Sequence, residues 1–97
     1  MYTIHQIQEI LAKAKPELQK KYPLSELGIF GSYARGDAKV NSDIDILVDF
    51  NAPLGLIKYI GLSHQIQKLF DLKVDLVSRD GIKPKYWAYV SKNLIYV

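Results

Sequence analysis

The sequence contains no cysteine and no run of about 18 consecutive apolar residues. The absence of cysteine excludes a disulfide framework, a thiol nucleophile and a zinc–thiolate site. The absence of a long apolar run leaves no candidate membrane-spanning helix. The first residues, MYTIHQIQEI, also lack the basic start and apolar centre of a secretion signal. We therefore expect a cytoplasmic protein without membrane contact.

The excess of positive charge is also small, with 13 Lys and Arg against 10 Asp and Glu and a net charge of +3. The lysines are scattered along the chain, whereas direct nucleic-acid binding calls for a basic cluster on one face. Direct nucleic-acid binding is therefore not expected, although anionic phosphate ligands remain compatible. The length of 97 residues, 48% of them hydrophobic, predicts a single domain over residues 1–97 with its own core.

The first helix has a clear start and a predicted interruption. Thr3 and Gln6 have the spacing of a capping box, and apolar residues follow at helical spacing. Pro16 removes a backbone donor, so we expect the first helix to end near Ala14. The same proline suits the first turn of a second short helix that reaches Lys21.

The rest of the chain alternates between extended and helical patterns. Three segments have the alternating or apolar character of strands, and they are separated by helical segments. The predicted strands are Leu24 to Phe30, Asp43 to Phe50 and Leu72 to Ser78, the predicted helices are Ser32 to Ala38, Leu54 to Phe70 and Lys85 to Asn93, and Leu94 to Val97 is an extended tail. This order predicts an α/β (α+β) fold, in which helices pack on a small mixed sheet of three to four strands.

The stretch 31-GSYARGDAKVNSDIDILVDF-50 carries the first chemical signal. Gly31 and Ser32 follow a strand and open a helix, with Ser32 as the expected N-cap. Such a turn offers unpaired backbone N–H groups to a phosphate, and glycine permits its close approach. The alternative is that the pair serves only to cap the helix.

Two carboxylates follow in the same stretch. Asp43 and Asp45 lie at positions i and i+2 of a strand, so they share a face about 6.5 Å apart. Carboxylates so placed repel each other unless a cation lies between them, and hard oxygen ligands favour Mg²⁺ or Mn²⁺. Two solvated acids on an edge strand are the alternative. Asp75 in 73-KVDLVS-78 would complete a set of three if its strand pairs beside Asp43 to Phe50. Three carboxylates can hold two divalent metals, and with a phosphate turn they indicate nucleotidyl transfer.

Several other residues are weaker candidates. Arg35 follows Ser32 by three residues and shares its helix face, where it can contact phosphate, an acidic partner or solvent. Asp49 shares the face of Asp45 but is expected in solvent near the strand end. Lys73 is either a surface lysine or a partner for Asp75 or a phosphate. The C-terminal aromatics, among them Tyr86 and Tyr89, have either a packing or an interface role.

These residues resemble the pattern of the minimal nucleotidyltransferases, a branch of the DNA polymerase β superfamily. An apolar residue, Gly-Ser, ten intervening residues and then Asp-x-Asp correspond here to Phe30, Gly31-Ser32 and Asp43-Ile44-Asp45. The resemblance extends from about Leu24 to Ser78 and implies the nucleotidyltransferase fold. It implies a nucleotide-binding role for Gly31, Ser32 and Arg35. It implies catalysis and metal binding by Asp43, Asp45 and Asp75, with two Mg²⁺ ions and ATP.

The acceptor follows less directly. The chain ends soon after these elements, so we expect the acceptor to be held by another subunit or to be another protein. The resemblance implies an antitoxin that adds AMP to a tyrosine of a HEPN ribonuclease toxin. Two alternatives stay open, which are a small-molecule nucleotidyltransferase of the aminoglycoside-modifying kind and a non-catalytic module that binds its partner.

Overall fold

A computed structural model describes residues 1–97 and contains four helices and four strands. The helices are α1 (Ile4–Lys21), α2 (Gly31–Arg35), α3 (Leu56–Gln67) and α4 (Pro84–Ser91), and a 3-10 turn covers Arg79–Gly81. The strands are β1 (Leu24–Phe30), β2 (Ile44–Phe50), β3 (Val74–Ser78) and β4 (Ile95–Tyr96). None of these helices is both long and apolar enough to cross a bilayer.

The four strands form one mixed sheet in the order β3-β2-β1-β4. β1 is antiparallel to both β2 and β4, whereas β2 and β3 run parallel. The parallel pair requires a crossover, which α3 supplies. The predicted small mixed sheet with packed helices is confirmed, and the extended C-terminal tail supplies its short fourth strand.

Alternation along β2 supplies residues to both faces of the sheet. Ile44, Ile46 and Val48 are fully buried in the main core, which also contains residues of α1 and α3. Leu47 points to the opposite face and forms a second, smaller cluster with Phe30 and Val90 of α4. The sheet is therefore covered on both sides, and α4 lies on the face that Leu47 shares with Asp45.

The expected break at Pro16 is wrong, because α1 continues through it as a single helix. The capping box between Thr3 and Gln6 is present as predicted. Proline lacks the N–H that would bond the carbonyl of residue i−4, which here belongs to Ala12, an exposed residue. Burial of Leu18 beyond the proline extends the helix contact with the core and offsets part of the cost of about 3 kcal/mol.

The helix after β1 also differs from the sequence expectation. α2 begins at Gly31 rather than after a Ser32 cap, and its N-cap is Phe30 without a side-chain hydrogen bond. It ends at Arg35 because Gly36 takes a left-handed conformation with φ of 87°. The short helix sets Arg35 at its last position, directly before the loop that returns to β2.

Candidate active site

The antiparallel pairing of β1 and β2 brings the Gly-Ser turn to the Asp-x-Asp. Phe30 pairs with Asp45 across the two strands, so Gly31 lies next to the Asp45 carboxylate. A Cβ on Gly31 would overlap Asp45 Oδ2 and lie 2.8 Å from its Cγ. Gly31 also has a backbone φ of +72°, which residues with a Cβ rarely adopt. Only glycine fits this position without moving Asp45, and the predicted approach of a phosphate to the Gly31 backbone stays a prediction.

The parallel pairing of β2 and β3 aligns a second carboxylate with Asp45. Asp45 is the register partner of Asp75, so the two side chains stand on the same face of neighbouring strands. Adjacent strands are about 4.8 Å apart, which places the carboxylates within reach of one ligand. The expectation that the strand of Asp75 pairs beside β2 is confirmed.

Asp43 is the most loosely placed of the three acids. It directly precedes β2, after a turn in which Ser42 Oγ accepts a hydrogen bond of 2.8 Å from the Lys39 N–H. Its Oδ2 lies 3.8 Å from Lys73 Nζ, and the Lys73 side chain is largely exposed whereas that of Asp43 is partly exposed. As the side chains stand, no three acidic or histidine side chains form a closed metal-binding cluster. Asp45 and Asp75 are therefore brought together, whereas Asp43 lies beside them and pairs with Lys73.

Asp45 is the acid whose ionisation this arrangement disfavours. Burial, then the charge of Asp75 and then that of Asp43 raise the pKa of Asp45 from 3.8 to about 6. The Arg35 charge acts in the opposite direction and lowers it. Repulsion between neighbouring carboxylates in a half-buried place is what a divalent cation relieves.

Arg35 lies beside this group of acids but does not bond to them. Its Nε donates to Asp37 Oδ2 at 3.2 Å, and its Nη1 donates to the Tyr89 hydroxyl at 3.0 Å. The hydrogen bond to Asp37 is the main cause that raises the pKa of Arg35. Its charge is close enough to affect Asp45, so the guanidinium is placed to meet an anion bound there.

Two tyrosines near the site were not assigned to it from the sequence, namely Tyr89, which contacts Arg35, and Tyr59, which lies near Asp75. Tyr89 is 54 positions from Arg35, so no local pattern could join them. Tyr59 of α3 donates its hydroxyl to the Leu76 carbonyl, and burial and then the Asp75 charge raise its pKa. Asp49 was expected in solvent but is partly buried, and its Oδ1 accepts a hydrogen bond from the Phe50 N–H.

Comparison with known proteins agrees with this geometry. Residues 11–97 match the family model described as nucleotidyltransferase domain. The chain is 41% identical over 97 residues to protein adenylyltransferase MntA of Thermococcus cleftensis, with coverage of 100% of this chain and 98% of the relative.

Two solved structures share the fold. A toxin–antitoxin structure with AMP-PNP matches 98% of this chain and 72% of its own, with a TM-score of 0.69 and 26% identity. A complex of a tri-AMPylated Shewanella oneidensis HEPN toxin with an MNT antitoxin matches 92% of this chain and 69% of its own, with a TM-score of 0.67 and 26% identity. The matched region includes the Gly-Ser turn and all three aspartates, and the chain belongs to the nucleotidyltransferase domain family.

Proposed function

We propose that this chain is a Mg²⁺-dependent protein adenylyltransferase that moves AMP from ATP to a tyrosine hydroxyl of a HEPN-domain ribonuclease toxin. In this role it acts as the antitoxin of the pair. The observation that carries the proposal is the parallel register of Asp45 with Asp75 beside Gly31. This arrangement concentrates negative charge where a packed sheet would ordinarily place apolar residues.

Mg²⁺, or Mn²⁺ in its place, fits the donor set of this site. Asp43, Asp45 and Asp75 are all hard oxygen donors, and the charge repulsion at Asp45 favours a bound cation. One strand pair sets Asp45 and Asp75 side by side, and the Asp43 side chain would turn from Lys73 toward them to join the metal site. When bound, two such ions would stabilise the triphosphate charge and lower the pKa of the attacking hydroxyl.

The chain's own residues would orient the nucleotide and accept a proton. The Gly31 and Ser32 turn offers backbone N–H groups and a hydroxyl to the phosphates, and Arg35 offers a guanidinium. The acceptor oxygen attacks the α-phosphorus and forms a new P–O bond while the bond to the β-phosphate oxygen breaks. Pyrophosphate leaves, and the hydroxyl proton passes to Asp75, which is exposed to an incoming acceptor.

The names of two similar proteins support the choice of a protein acceptor. The Thermococcus relative is named a protein adenylyltransferase, and the Shewanella complex contains an AMPylated HEPN toxin. A tyrosine is the acceptor that we infer, since its phenol ionises near pH 10 and is more easily activated than a serine hydroxyl.

The test is transfer of label from α-labelled ATP, with Mg²⁺, to the cognate HEPN ribonuclease. We expect AMP on one or more toxin tyrosines by mass spectrometry, with loss of ribonuclease activity. The double variant Asp43→Asn/Asp45→Asn should lose both effects. The matched control Asp49→Asn removes an acid from the same strand outside the site and should keep them.

The alternatives predict other results. If the chain is a binding module, the double variant should neutralise the toxin as well as the wild type does, and no label should be transferred. A small-molecule enzyme would consume ATP with a hydroxylated compound but leave the toxin unlabelled. Either result refutes the proposed function.

A further inference from the structure

The packing of α4 brings an exposed tyrosine to the candidate phosphate site. Val90 is buried against Leu47 and Phe30, on the sheet face that also carries Asp45. Tyr89 precedes Val90 and therefore lies at the edge of the same contact. It is 64% exposed, so burial in the core does not account for its position.

The Tyr89 hydroxyl makes a directed contact to Arg35. It accepts a hydrogen bond of 3.0 Å from Nη1, and the guanidinium carbon lies 6.0 Å from the ring centroid. Asp37 accepts from Nε of the same side chain at 3.2 Å. Two of the three guanidinium nitrogens are thus held, one by neighbouring Asp37 and one by Tyr89 of α4, which fixes the direction in which Nη2 can donate.

We propose that Tyr89 is a positioning residue for the nucleotide, which holds Arg35 ready to bind the phosphates of ATP. The inference rests on the proposed function and extends it from the Gly-Ser turn to the C-terminal helix. The Tyr89 hydroxyl accepts from Nη1, so it acts on the nucleotide through the orientation of the guanidinium. A preset arginine loses less conformational entropy when the nucleotide binds, so the effect belongs to nucleotide affinity.

A purely structural role for the same contact makes a different prediction. If Tyr89 served only to tie α4 to α2, its removal would lower the stability of the chain and leave nucleotide affinity unchanged in the folded protein. The two roles therefore separate when affinity and unfolding are both measured.

The experiment is isothermal titration of AMP-PNP with Mg²⁺ into the full chain and four variants. Tyr89→Phe keeps the ring and removes only the hydroxyl. Tyr86→Phe is the matched control, since Tyr86 is 55% exposed on the same helix and contacts Lys85 instead. Arg35→Ala and the double variant Arg35→Ala/Tyr89→Phe complete a thermodynamic cycle.

We expect Tyr89→Phe to weaken binding about 3- to 10-fold, the effect of one hydrogen bond, with an unfolding transition that coincides with that of the wild type. Tyr86→Phe should bind within about twofold of the wild type. In the Arg35→Ala background, Tyr89→Phe should cause no further loss, since its effect passes through Arg35.

The failures are distinguishable. If the wild type binds and Tyr89→Phe binds equally well, or if the two substitutions are additive, the role of Tyr89 is refuted and the proposed function stands. If the wild type itself does not bind AMP-PNP with Mg²⁺, both proposals fall.

Discussion

Replacement of Asp45 by asparagine should stabilise the fold at neutral pH while it removes activity. Asp45 is half-buried between two other carboxylates, and its pKa is raised to about 6 by burial, Asp75 and Asp43. At pH 7.5 the wild type therefore keeps an ionised group in a place that disfavours ionisation. Asparagine has nearly the same shape without the charge.

The magnitude follows from the two pKa values. The change from 3.8 to about 6 corresponds to an upper bound of about 3 kcal/mol at about 1.36 kcal/mol per pKa unit. Since the side chain is only half-buried, solvent screening reduces the expected effect to about 1–2 kcal/mol. For a chain of this length, that free energy corresponds to an increase in Tm of about 4–16 °C.

The pH dependence has a definite sign. The folded pKa lies above the unfolded one, so the folded state binds more protons between about pH 4 and pH 6. Asp45 stabilises the fold fully below the unfolded pKa, and this contribution is lost as the pH rises through about 6. The advantage of Asp45→Asn should accordingly be small at pH 4 and reach its full size above pH 7.

Urea denaturation in EDTA at pH 4, 5 and 7.5 checks this prediction, since EDTA removes divalent cations that would stabilise the wild type. Asp49→Asn is the control, because it removes the same charge from β2 away from the other two acids. Equal or lower stability of Asp45→Asn at pH 7.5, or the same gain at pH 4 as at pH 7.5, would refute the electrostatic reasoning.

Three further outcomes are expected. Gly31→Ala should abolish transfer because its Cβ would displace the Asp45 carboxylate. Gly36→Ala should keep activity, because nothing lies within 4 Å of the added Cβ, but the strain of a side chain at a φ of +87° should cost about 1–2 kcal/mol in urea denaturation. Addition of Mg²⁺ and AMP-PNP at about 100 times their Kd should stabilise the wild type by about 2.7 kcal/mol in thermal unfolding, and equal stabilisation of Asp45→Asn would contradict the assigned metal site. Leu47→Ala should lower the free energy of unfolding by about 2–4 kcal/mol because Leu47 is 1% exposed under α4, and an unchanged urea midpoint would show that α4 does not depend on this contact.

The sequence alone determined the parts of the protein that depend on short-range rules. Side chains at i and i+2 of a strand share a face, so the pairing of Asp43 with Asp45 could be read directly. The capping box at Thr3 and the strand that ends before Gly31 follow from equally local rules. Together with the order of the other elements and the resemblance to the minimal nucleotidyltransferases, these features led to the predicted fold class and candidate residues.

The tertiary structure decided what depends on distant pairing. The register of Asp45 with Asp75 and the bond from Arg35 to Tyr89 join residues 30 and 54 positions apart, and no local periodicity encodes such contacts. The continuity of α1 through Pro16 likewise depends on tertiary packing, because burial of Leu18 against the core offsets part of the cost of the proline. Local sequence patterns thus identify the chemical groups of this site, and the long-range packing of the sheet and α4 determines which of them come into contact.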